Sequence, residues 1–89
     1  FRNATSLIKV IIPESVVQID KSAFRNCTQL HYLKINSTFV KIEENAFSDT
    51  HALMYIIFPG KLQCHNDSFH GSLGNDALKL NTNVSWLEQ

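Results

Sequence analysis

Phe24-Arg25-Asn26-Cys27-Thr28-Gln29-Leu30 repeats Phe1-Arg2-Asn3-Ala4-Thr5-Ser6-Leu7 with only two substitutions. Phe47-Ser48-Asp49-Thr50-His51-Ala52-Leu53 keeps the same frame, and a degenerate fourth copy starts at Phe69. The four phenylalanines stand 23, 23 and 22 residues apart. Self-similarity at this period marks a stacked repeat architecture, because a unit so short cannot bury an apolar face alone.

Counting Phe as the first position of the unit extends the frame outward. Position 7 reads Leu7, Leu30, Leu53 and Asn75; position 10 reads Val10, Leu33, Ile56 and Leu78. Position 12 reads Ile12, Ile35, Phe58 and Leu80. With a single-residue gap placed after Leu62, position 16 reads Val16, Phe39, Leu62 and Val84, and position 19 reads Ile19, Ile42, Cys64 and Leu87. Position 23 is small throughout, as Ala23, Ala46 and Ser68. Asn75 is the single polar residue in the six large columns, whereas a chain that is 44% hydrophobic would fill about half of them by chance. Positions 10 and 12 flank polar or mixed positions, and period two means a strand. Translated copies make those strands parallel. A second extended piece follows at positions 16 to 19. The Ala-Phe segment, as in Asp20-Lys21-Ser22-Ala23-Phe24, predicts one helical or 3₁₀ turn. Pro13 and Pro59 sit at strand ends, where a missing amide does least harm.

The run Leu7-Ile8-Lys9-Val10-Ile11-Ile12-Pro13-Glu14-Ser15-Val16-Val17-Gln18-Ile19, with Ala23-Phe24, Cys27 and Leu30, resembles the BspA-like (treponemal-type) leucine-rich repeat. The resemblance covers nearly the whole chain and implies a right-handed leucine-rich-repeat solenoid with a parallel sheet on its inner face. The expected array is one domain of about four units, at 1–23, 24–46, 47–68 and 69–89, read as a piece of a longer chain. It further implies a surface adhesin type of protein that binds other proteins or cells. Fold alone does not fix that function.

Composition narrows the partners. Lys plus Arg and Asp plus Glu are both 8, so the net charge is zero. Nucleic acids and anionic membranes both call for a cationic excess that the chain lacks. No apolar run approaches the length of a membrane span. The expected partner is another protein, with self-association through the open solenoid ends as a further route.

The outward strand positions would carry that binding. They are Lys9, Tyr32 and Tyr55 at position 9, and Ile11, Lys34, Ile57 and Lys79 at position 11. Tyrosine offers a large contact area with a polar tip. The plainer reading is that Tyr and Ile are good strand formers at half-exposed sites. A spacer or intracellular scaffold with no ligand of its own is the alternative function.

Five N-x-S/T sequons, at Asn3, Asn26, Asn36, Asn66 and Asn83, suggest glycosylation in a secreted or surface protein. Turns that demand Asn, Ser and Thr would produce the same pattern. Cys27 and Cys64 fall in a small and an apolar column, which predicts buried free thiols without a disulfide. His31, His51, His65 and His70 lack metal-ligand spacing, so neither metal nor cofactor is expected. His65-Asn66-Asp67-Ser68 holds triad residue types, but four neighbours cannot converge on one substrate atom, and no catalytic residue is assigned. Trp86, read at position 18, would be exposed, packing under further chain or self-associating.

Overall fold

In the computed structural model, which describes residues 1–87, the period-two segments are strands. In chain order they are β1 (Lys9–Ile12), β2 (Gln18–Ile19), β3 (Tyr32–Ile35), β4 (Phe39–Ile42), β5 (Tyr55–Ile57) and β6 (Lys61–His65). A short helix α1 (Asn75–Lys79) and strand β7 (Val84–Leu87) complete the chain. Two parallel sheets result, the first ordered β1-β3-β5 and the second β2-β4-β6-β7. The chain is a β-solenoid of about three turns, slightly shorter in its first sheet than four units suggest.

The first-sheet register matches the sequence columns: Lys9 faces Tyr32 and Tyr32 faces Tyr55. Val10, Leu33, Ile12 and Ile35 point inward and are buried. Single turns closed by i to i+3 bonds, such as Ala23 N–H to Asp20 O and Cys27 N–H to Phe24 O, bring each phenylalanine into line. The rings of Phe1, Phe24, Phe47 and Phe69 stack with centroids 5.6, 5.0 and 5.0 Å apart. Beside the stack, small buried residues repay their polar atoms locally: Thr50 Oγ1 donates to Phe47 O (2.6 Å) and Ser72 Oγ to Leu53 O (3.1 Å).

Three expectations need correction. The missing residue of the third unit lies before Lys61, not after Leu62, because Lys61 pairs with Phe39 and Leu62 with Val40. The second-sheet ladder is therefore Val40, Leu62 and Val84, and Phe39 is 44% exposed. The shortened turn holds Gly60, whose imagined Cβ would lie 1.9 Å from the Thr38 carbonyl oxygen, so only glycine lets the two backbones pass.

The fourth unit does not supply a first-sheet strand. Residues 75–79 form α1, with Asp76 in its first turn and Lys79 in its last, as the helix dipole favours. This segment contains no β-branched residue, unlike β1 with Val and Ile. Helical spacing keeps Leu78 buried and turns Leu80 outward, 85% exposed.

Trp86 is the third correction. It pairs with Cys64, so it occupies position 19 and packs half-buried against the core, while Leu87 pairs with His65 and is exposed. Lys79 Nζ stands 3.8 Å from the centre of its ring.

Candidate functional site

Strand alternation turns one side of β1, β3 and β5 outward, and parallel register aligns those residues in two rows. Lys9, Tyr32 and Tyr55 make the first row, and Ile11, Lys34 and Ile57 the second. All are exposed except Tyr32, which is half-buried. Lys79 does not join them. It belongs to α1, where its ammonium donates to Asn66 Oδ1 at 2.8 Å and covers Trp86.

Contacts within the grid hold the rings. Lys9 Nζ lies 5.3 Å from the Tyr32 ring centre, close enough for a cation–π attraction. The His31 ring meets Tyr55 edge-on at 5.1 Å, and its Nδ1 lies 3.2 Å from the Ala52 carbonyl. Ile8, His31 and Met54, the residues just before each strand, are exposed and extend the same edge of the grid. Their shared position 8 in the unit was the signal for them, though alternation inside the strands does not reach that far.

The five sequon asparagines are all exposed. Two have a conformational reason to be Asn: Asn3 and Asn26 adopt φ of 64° and 65°, and Asp49 and Gly71 follow them in the column with φ of 62° and 83°. Asn26 Nδ2 also donates to Asn3 Oδ1 at 3.0 Å. Asn36 and Asn83 both lie in turns that lead into second-sheet strands.

The remaining polar groups serve the fold. Ser68 Oγ accepts from the His65 backbone N–H and lies 2.9 Å from the Ile42 carbonyl, so its hydroxyl is committed to backbone. His65 Nε2 sits 3.3 Å from Glu43 Oε1. Cys27 and Cys64 are buried and free. Burial pushes the Cys64 thiol up to about 12, with Lys79 nearby opposing that rise, so the nucleophilic thiolate is suppressed. Among the described residues no helix is long and apolar enough to cross a membrane, and no cluster of three or more His, Cys, Asp or Glu could hold a metal ion.

No curated protein and no solved structure matches the chain. A family model described as the BspA type leucine-rich repeat region (6 copies) matches residues 1–89. Stacked turns that share one core are what such repeats build, and solenoids of this kind are typically scaffolds for protein interaction rather than enzymes. On that match, spanning every residue, the chain belongs to the BspA-type leucine-rich repeat family.

Proposed function

We propose that the chain is a recognition module of a surface or secreted protein, binding another protein across the outward face of its first sheet. The observation that carries this reading is the two-row grid of Lys9, Tyr32, Tyr55, Ile11, Lys34 and Ile57 on three aligned strands. Exposed Tyr55 and Ile57 are neighbours on β5 with Tyr32 beside them, Ile11 lies across Lys34 on β1, and apolar groups around tyrosine suit a contact core. Rigid parallel strands fix the spacing of the side chains, so little ordering entropy is spent on docking. Five exposed sequons favour the secretory route, with Asn36 and Asn83 as the acceptors best placed for glycans, since no αL backbone demands asparagine there as at Asn3 and Asn26, and no lysine holds the side chain as at Asn66.

The test is affinity capture from a cell-surface lysate, comparing the unaltered chain with Tyr32→Ser plus Tyr55→Ser. A protein retained only by the unaltered chain is the expected result. Equal retention by both, with the circular dichroism of the two identical, would overturn the reading in favour of a spacer.

A further inference from the structure

Charge is distributed unevenly over this neutral chain. Among the described residues no strand contains Asp or Glu, yet strands carry Lys9, Lys34, Lys41 and Lys61. Strand propensity disfavours Lys as well as the acids, so propensity alone does not separate them. Guarding of sheet edges explains Lys on β1, an edge strand, but not Lys34 on β3, the centre of its sheet. The described acids lie in turns or on α1, and several are engaged there: Glu44 with Lys21 at 3.2 Å, Glu43 with His65 at 3.3 Å. Among the described residues neither Lys9 nor Lys34 has a carboxylate partner.

We propose that the first-sheet face selects an acidic, partly apolar polypeptide segment, with Lys9 and Lys34 receiving two of its carboxylates. This rests on the reading of that face as the docking surface. Lys9 and Lys34 sit on neighbouring strands and in different rows, diagonal to each other. On a pleated sheet that diagonal is about 8 Å, and residues i and i+2 of an extended segment are about 7 Å apart. Two carboxylates at i and i+2 therefore reach both ammonium groups, an apolar side chain at i+4 carries on past Lys34 towards Ile57 on β5, and Ile11 and Tyr32 flank the line on either side. The interaction is charge complementarity laid over an apolar floor, which sets specificity more than raw affinity.

The experiment uses fluorescence anisotropy with the peptide Leu-Ser-Glu-Ser-Glu-Ser-Leu, the same peptide with Gln for Glu, and the same with Lys for Glu. At low salt the Glu peptide should bind roughly fivefold more tightly than the Gln peptide, as two exposed ion pairs allow. The Lys peptide should bind least. The preference should vanish in Lys9→Gln plus Lys34→Gln, persist in Lys41→Gln plus Lys61→Gln on the other sheet, and fade in about 1 M salt, where the Debye length is roughly 3 Å. Equal binding of the Glu and Gln peptides, binding of none, or a preference that survives the first double variant overturns the proposal. If the lysate capture still depends on Tyr32 and Tyr55 in that event, the docking face stands and only its acidic selectivity falls.

Discussion

Phe1 and Phe69 occupy the two ends of one aromatic stack and meet opposite surroundings. Phe1 is 79% exposed and Phe69 is fully buried. An apolar cavity of about 340 Å³ opens beside Phe1, lined also by Leu7, Val10, Ile12 and Phe24. At the other end the fourth turn closes over the stack, with Gly74 N–H bonded to Leu53 O and Leu78 entering the core. The difference teaches that the ladder can be covered by something other than a fourth copy of the same strand. The turn that carries the five-residue helix supplies that cover, with Phe69 and Leu78 both buried.

The sharpest way to break this comparison is to cut the stack at its middle and at its open end. Phe47→Ala should cost about 3–5 kcal/mol, because a fully buried ring between two others leaves a cavity. Phe1→Ala should cost less than about 1 kcal/mol, since most of its surface already meets water. Denaturant midpoints measure both, and equal losses would mean that Phe1 is held as firmly as the ring in the middle of the stack.

Leu78→Ala tests the closed end directly. Its expected cost is about 2–4 kcal/mol by the same transfer and cavity terms. A loss near zero would show that α1 rests on the core without holding it.

Cys64, packed beneath this end, adds a pH dependence. Its folded thiol is held at about 12 against an ordinary value of 9.0. The protonated form is favoured in the fold, so the stabilisation is complete below pH 9.0 and is lost as pH rises from there towards 12. Stability should fall by about 1.4 kcal/mol per pH unit within that window. Cys64→Ala should remove that component of the slope, and an unchanged slope would sink the assignment.

A small effect is also expected for Lys79→Gln. Losing its contact with the Trp86 ring should cost about 0.5–1 kcal/mol and shift the indole fluorescence. No spectral change would mean that the ammonium is not held over the ring in solution.

How far these features could be read from residues alone depends on the period each one obeys. Phe1, Phe24 and Phe47 and the inward Val10, Leu33 and Ile12 repeat without interruption, so the first sheet and its outward grid follow directly from the columns. The second sheet was harder because a deletion intervenes, and a one-residue slip exchanges the two faces of a strand. The size of Phe39 argues for the core, but period two counted back from Ile42 selects Val40, and the structure follows the period. Trp86 moves with a second one-residue deletion, in the fourth unit: it stands 17 residues after Phe69, as Cys64 stands 17 after Phe47, and so it lies opposite Cys64 rather than outward. The helix at 75–79 has a different cause. Leu78 and Leu80 keep strand spacing, while Ala77, Leu78 and Lys79 are good helix formers and Asp76 and Lys79 suit the two ends of the helix dipole, and local preference prevails. Lys79 leaves the grid for that reason alone.

The width of the first sheet sets a length scale for whatever it meets. Three strands at about 4.8 Å separation make a platform about 10 Å across, and its two rows lie about 7 Å apart along the strands. Six side chains on such a platform offer a footprint well under the roughly 800 Å² per partner of a standard protein interface. On the proposed docking reading, three strands alone would hold a partner briefly and release it quickly. Durable attachment then requires many such footprints presented together, with linkage rather than contact area providing the grip.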